Sequence, residues 1–392
     1  MNQRELFLRH VGQTSPAPLA LEIVKADCCT LYDAVGMEYI DLIGGISVAN
    51  VGHRHPKVIT AIQQQLEAYL HVMVYGEFIE SPQVQYAQLL TAHLPASLNS
   101  VYFTNSGAEA VEGAMKLAKR VTNRTRIIAF KNSYHGSTQG ALSIIGDEYW
   151  RNAFRPLLPD VLHLDYGSFD ALKEITEQTA CVIAETVQAE AGIKVPSSEW
   201  ILALRDRCTE TGTLLILDEI QAGFGRTGKL WGFEHFNIVP DVLLLGKALG
   251  GGMPLGGFIA NKKMMDAFTE NPVLGHITTF GGHPVCCAAG MAGMKALLEE
   301  GWIEKVKAKE QLFLSLLKHK KIKAVRSFGL WMAVGFDSFE TSKKIIDQCI
   351  QSGVLTDWFL FAPNCLRISP PLIIAEEQIK MACDIILKAC ND

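Results

Sequence analysis

A chain of 392 residues with 48% hydrophobic content can bury a large core, and its length suits two or three lobes. A net charge of -5 gives no electrostatic case for nucleic acid or for an anionic membrane surface. Ten cysteines, among them the adjacent pairs Cys28-Cys29 and Cys286-Cys287 but no Cys-x-x-Cys spacing, read as scattered reduced thiols of a cytosolic protein.

The opening stretch from Met1 to His10 is too charged for a secretory signal, and no apolar run approaches the ~18 residues of a membrane span. A cytoplasmic location is therefore expected, which leaves the sequon Asn123-Arg124-Thr125 idle. Residues 1–50 carry strand and turn signals at Leu31 to Ala34 and Tyr39 to Gly45, and are expected to form the N-terminal segment of a small domain. Pro56 suits a first helical position, with Val58, Ile62, Leu66 and Tyr69 expected on one apolar face.

Strand and helix signals then alternate through a large domain assigned to residues 51–290. Strands are predicted at Val101 to Phe103, Arg126 to Phe130, Cys181 to Ala184, Leu214 to Leu217 and Val242 to Gly246. This alternation predicts an α/β fold with a mostly parallel sheet between helices. Residues 291–392 read as helix, a strand within Leu330 to Phe336, then two more helices, a C-terminal α+β part of the small domain.

Two of the apolar runs end in a single charged residue. Leu214 to Leu217 leads into Asp218, and Val242 to Gly246 leads into Lys247. Continuous rather than alternating apolar character marks buried parallel strands, and a charge at their carboxyl ends points into the crevice where such sheets bind ligands. A partly desolvated lysine is more easily deprotonated and can attack an aldehyde, while an aspartate facing a pyridine nitrogen keeps that nitrogen protonated. Those are the two groups a pyridoxal phosphate enzyme needs.

Asn105-Ser106-Gly107-Ala108-Glu109-Ala110 lies between a strand and a helix whose apolar face is Val111, Ala114, Ala118 and Val121. Small residues and exposed amides at a helix N-terminus favour a phosphate. The Ser106 to Glu109 spacing equally describes a capping box with no ligand. Gly223 to Gly228 satisfies G-x-G-x-x-G but does not open a helix straight after a strand, and Leu230 stands where a P-loop needs Ser or Thr. Gly52-His53-Arg54-His55-Pro56 lacks a third metal ligand nearby and reads as a turn held by imidazole hydrogen bonds. No Gly-x-Ser-x-Gly elbow and no His-Glu-x-x-His pattern occurs.

Nearly the whole chain resembles the class III aminotransferases, the fold-type-I pyridoxal phosphate-dependent transferases that include ornithine, acetylornithine and 4-aminobutyrate aminotransferases. The matching stretches are Tyr39 to Leu42 with Gly52-His53 and His55-Pro56, Asn105 to Ala110, Tyr134-His135-Gly136, Leu217 to Gly228, Gly246 to Gly252 with Pro254, and Thr278 to Gly282. The resemblance implies pyridoxal 5'-phosphate as cofactor, an amino donor, and a 2-oxo acid acceptor such as 2-oxoglutarate. It makes Lys247 the Schiff-base lysine and proton shuttle, Asp218 the partner of the pyridinium, and Gln221 a neighbour of the phenolic oxygen. Ser106, Gly107 and Ala108 would hold the phosphate, Tyr134 would stack on the ring, and His135 would belong to the same site.

The resemblance also implies a homodimer with shared active sites, in which Thr279 reaches the phosphate of the neighbouring subunit. Glu190 and Arg367 match a carboxylate and arginine that can pair or part to admit a substrate carboxylate, with Thr278 and Ser137 on the substrate side. Many relatives place an arginine where this chain has Ser137, and a hydroxyl cannot replace a charged, bidentate fork. Thr186, Ala189 and His283 also depart from the family pattern and are expected near the amino-donor pocket. A same-fold aminomutase, racemase or decarboxylase, or a cofactor-binding protein without turnover, would keep Lys247 and Asp218 as well.

Overall fold

The computed structural model describes residues 2–74 and 76–391. Among the described residues, fifteen strands build three sheets. In chain order they are β1 (Ile23–Asp27), β2 (Thr30–Asp33), β3 (Glu38–Asp41), β4 (Ser100–Thr104), β5 (Arg126–Phe130), β6 (Val161–Leu164), β7 (Thr179–Glu185) and β8 (Leu214–Asp218), then β9 (Val242–Leu245), β10 (Gly256–Ala260), β11 (Ala324–Ser327), β12 (Met332–Gly335), β13 (Val354–Leu355), β14 (Trp358–Phe359) and β15 (Ala362–Ile368).

The central sheet runs β4-β10-β9-β8-β7-β5-β6. Strands β6, β5, β7, β8 and β9 are parallel, and β10 is antiparallel to both its neighbours. Period-two packing explains why these strands read as unbroken apolar runs. Ile127, Ile183, Ile216 and Leu244 join the layer under the helix Gly107–Thr122, while Ile128, Val182, Leu215 and Leu243 join the core on the other face. Both layers are covered, so neither set of alternate positions can be polar.

The other two sheets are smaller. β1, β2, β3 and β13 form one, in which β3 pairs in parallel with β13 through Ile40 and Val354. β11, β12, β15 and β14 form the other, antiparallel throughout. The Gly223 to Gly228 segment is a run of turns that does not lead into an α-helix, and it fastens these parts together. Its fully buried Arg226 donates to the carbonyls of Leu330 and Pro370 at 2.8 and 2.6 Å and to Asn50 Oδ1 at 2.5 Å.

The helix beginning at Pro56 ends at Ala68, and its expected apolar face needs correction. Val58 and Gln65 are the buried positions, Leu66 is exposed, and Tyr69 lies past the end. His53 Nε2 sits 2.7 Å from Asp41 Oδ2, so that imidazole is engaged in a turn contact. Among the described residues no helix is long and apolar enough to cross a membrane.

Candidate active site

The carboxyl ends of the parallel strands bring four titratable groups together. β7 ends in Glu185 and β8 in Asp218, paired in register, so two carboxyl groups stand side by side. Asp218 Oδ2 lies 2.7 Å from His135 Nδ1, and Oδ1 accepts from the Ile220 N–H at 2.9 Å. That contact gives His135 a defined tautomer with the proton on Nδ1, and leaves its buried Nε2 without a partner among the described residues. Glu185 accepts from the backbone N–H groups of Tyr134 and Ala189 at 3.1 and 2.9 Å. Burial, and then the neighbouring Asp218, push the Glu185 carboxyl well above the usual range, so Glu185 keeps a proton more readily than an ordinary carboxyl.

Lys247 follows β9 by two residues and adopts φ 48°, a left-handed conformation unusual for a side chain with a Cβ. Its ammonium makes no hydrogen bond among the described residues. Burial lowers its pKa, opposed by the charges of Glu190 and Asp218, so the neutral amine is more accessible than in a free lysine. Lys247 shares a cavity of about 190 Å³ with Asp218, Tyr134, His135, Ser137, Gln221 and the first two helical residues, Gly107 and Ala108.

The helix Gly107–Thr122 starts at that cavity. Ser106 is its N-cap and accepts from the Glu109 N–H at 3.2 Å, while Glu109 reaches back to Asn105 N at 2.7 Å rather than to Ser106. Capping leaves room for an anion, because the N–H groups of Gly107 and Ala108 have no acceptor among the described residues. A Cβ on Gly107 would stand 2.7 Å from Ile220 Cδ1, so any side chain there would have to push the Ile220 side chain aside.

A second, adjoining cavity of about 460 Å³ is lined by Lys247, Tyr134 and Gln221 together with Glu190, Asp357 and Arg367. Glu190 takes both terminal nitrogens of Arg367, at 2.9 and 3.0 Å. Gln221 Nε2 is 3.4 Å from Glu190, and its Oε1 is buried without a partner among the described residues. The Tyr134 hydroxyl meets Ser137 Oγ at 3.0 Å.

Several expected positions lie elsewhere. Thr279 is exposed and Thr278 accepts from Asn105 Nδ2 at 3.2 Å, facing a different cavity. None of Thr186, Ala189 and His283 lines the two cavities, although Thr186 lies between Glu185 and Val187, and Ala189 beside Glu190, which do. The Thr186 hydroxyl is spent on buried Glu219 at 2.7 Å, Ala189 is packed in the core, and His283 stacks on His71 at 5.5 Å. Glu185 and Asp357 were missed. Glu185 had a signal, since it ends an apolar run in the same way as Asp218, whereas Asp357 had none.

A family model, aminotransferase class-III, matches residues 11–390. The chain belongs to the class III aminotransferases. Similar relatives include the acetylornithine aminotransferase of Methanopyrus kandleri, 39% identical over 97% of each chain, and that of Methanosarcina mazei, 38% identical over 97% of this chain and 94% of the other. Among solved structures, the ornithine aminotransferase of Toxoplasma gondii superposes with a TM-score of 0.91 at 28% identity, covering 98% of this chain and 93% of that one. An omega-transaminase of Thermomicrobium roseum gives 0.91 at 26%, covering 99% and 97%.

This class III aminotransferase is a pyridoxal phosphate-dependent enzyme, and its site fits that cofactor. Free N–H groups at a helix N-terminus, a half-buried amine without a hydrogen-bond partner among the described residues and a carboxyl group backed by a histidine lie in one cavity. No group of three or more metal-ligating side chains is gathered among the described residues.

Proposed function

We propose that the enzyme moves an amino group from a donor with a terminal primary amine to a 2-oxo acid such as 2-oxoglutarate, in two half-reactions at one site. The observation that carries this is the unpartnered Lys247 amine in the same cavity as Asp218 and the free N–H groups of Gly107 and Ala108. Relatives named for acetylornithine and ornithine support a terminal amino group as the one transferred.

Pyridoxal phosphate, when bound, supplies an aldehyde for the donor amine and a ring that absorbs the electron pair released with the donor's proton. The backbone N–H groups of Gly107 and Ala108, at the positive end of the helix dipole, would hold its phosphate. Asp218, oriented by His135 and the Ile220 N–H, would partner its ring nitrogen. Burial beside Asp218 lets Glu185 keep a proton more readily than an ordinary carboxyl, which limits the negative charge there. Tyr134 would cover a ring face and the Gln221 amide would meet the phenolic oxygen. Lys247 Nζ, whose neutral form is favoured by burial, would accept and return the proton of the donor carbon.

Glu190 keeps Arg367 occupied during the donor half-reaction and releases its terminal nitrogens to the carboxylate of the 2-oxo acid in the second. The enzyme works as a cytoplasmic homodimer. The exposed apolar residues Val273, Leu274, Ile277 and Phe280 surround Thr279, and a second subunit covering them brings Thr279 to its phosphate.

Substitution of Lys247 tests the assignment. Lys247→Ala is expected to bind the cofactor without the visible band of a lysine-bound aldehyde and to transfer no amino group. A variant that transaminates at the wild-type rate refutes the role of Lys247. Acceptor dependence of product formation separates transamination from mutase, racemase or decarboxylase chemistry.

A further inference from the structure

Arg367 is held on more sides than one carboxylate requires. Besides the Glu190 pair, Asp357 Oδ1 accepts from its Nε at 2.8 Å and the Trp358 carbonyl accepts from a terminal nitrogen at 3.0 Å. The Phe359 ring lies 4.4 Å from the guanidinium carbon. One guanidinium therefore faces two carboxylates, and the three groups together carry one surplus negative charge.

That surplus stands in the donor cavity. Asp357 lines it, its side chain is 29% exposed, and its Oδ2 makes no hydrogen bond among the described residues. Among the described residues the only cations lining this cavity are Lys247, which serves the cofactor, and Arg367, which both carboxylates already hold. Across the first cavity, Ser137 offers a hydroxyl and no positive charge. With Glu190 and Arg367 paired, a donor whose far end is an ammonium finds an unoccupied carboxylate oxygen in the cavity, which a simple monoamine cannot use.

We propose that Asp357 is a specificity-determining residue that favours donors with a second ammonium at the end remote from the transferred amine, diamines as a class, over simple monoamines of the same length. The inference rests on the transamination described above and goes beyond it by naming the donor's distal group. Asp357 Oδ2 receives the distal ammonium while Glu190 and Arg367 remain paired. When the 2-oxo acid follows, Glu190 gives up the terminal nitrogens and Asp357 keeps the guanidinium oriented through Nε.

The charged groups facing Asp357 are Arg367, Glu190 and Asp41, with Lys247 across the cavity. Burial, opposed by Arg367 and reinforced by Glu190 and Asp41, pushes the Asp357 carboxyl up to about 6. As pH falls through that value the carboxyl gains a proton, so affinity for a distal ammonium is present above it and is lost below it.

The test compares three donor series of three to six carbons in the cofactor-loaded enzyme: terminal diamines, the matching amino acids with a terminal carboxylate, and the matching simple amines. The wild type is expected to give a higher kcat/KM with a diamine than with the matching simple amine. Asp357→Asn keeps an acceptor for Arg367 Nε and removes only the charge. In the donor half-reaction, followed by single turnovers without acceptor, it is expected to weaken diamine binding about tenfold and to change the simple amine and the amino acid far less. The loss of diamine affinity below pH 6 should disappear in the variant. A wild type that takes the simple amine as well as the diamine, or that takes no member of any series, overturns the proposal, as does a variant that shifts all three series alike. Failure of the pyridoxamine-loaded enzyme to aminate any 2-oxo acid instead overturns the transamination on which the proposal rests.

Discussion

Gly136 joins the Tyr134 loop to the cofactor cup, and replacing it perturbs both at once. Its φ is +125°, and a Cβ there would stand 2.6 Å from Ala108 Cβ, 2.9 Å from Ala108 Cα and 3.3 Å from Ala141 Cβ. Gly136→Ala therefore meets two costs. A side chain at positive φ costs about 1–2 kcal/mol, and overlap with a fixed neighbour costs about 1–3 kcal/mol more. The neighbour cannot yield cheaply, because Ala108 Cα is backbone in the first turn of the helix Gly107–Thr122. Relief requires the Tyr134 to Ser137 loop or the helix start to move, and both line the cofactor cavity.

The expected result is at least a tenfold weaker affinity for pyridoxal phosphate in an absorbance titration, with a lower melting temperature of the cofactor-loaded protein. Gly167→Ala is the control for backbone strain alone, since φ there is +86° with nothing within 4 Å of the added Cβ. It should lose some thermal stability and bind the cofactor normally. Normal cofactor affinity in Gly136→Ala would refute the idea that the loop and the helix start form one rigid cup.

Two further substitutions probe the paired carboxyl groups. Asp218→Asn keeps an oxygen for the Ile220 N–H and hence the fold, and is expected to slow the donor half-reaction by about 100-fold or more, as removal of an electrostatic stabiliser does; a near-normal single-turnover rate would show that Asp218 faces something other than the ring. Because burial favours the protonated form of Glu185, Glu185→Gln should leave the pH profile of kcat/KM in place, while a backbone N–H left without its acceptor costs about 1–3 kcal/mol of stability. A displaced acid limb in that variant would show that Glu185 titrates during the reaction.

The sequence carried the sheet and its chemistry wherever burial was two-sided. Asp218 and Lys247 stood out because unbroken apolar runs can only be strands covered on both faces, and a charge ending such a run must face the crevice. β10 escaped notice because it opens with Gly256-Gly257 and runs against the sheet's direction. Its start lies so close to Ser106 that a Cβ on Gly256 would meet the Ser106 carbonyl oxygen at 2.1 Å, which is why glycine replaces the β-branched residues that signal a strand.

The substrate side was less legible. Glu190 and Arg367 are 177 residues apart, and family resemblance rather than spacing suggested the pair. Asp357 lies in an unremarkable Thr-Asp-Trp context, and only the turn into β14 and the return along β15 carry it to Arg367 Nε. Ser137 was legible as a missing charge, but the charge that dominates the cavity in its absence was not.

The most direct test of the central claim is a visible absorbance spectrum of the purified protein loaded with pyridoxal phosphate, then titrated with a terminal amine donor without acceptor. The account predicts a yellow band that requires Lys247, bleaches with donor, and returns when a 2-oxo acid is added. A protein that stays colourless after incubation with pyridoxal phosphate, or a band that donor and acceptor leave unchanged, would contradict it.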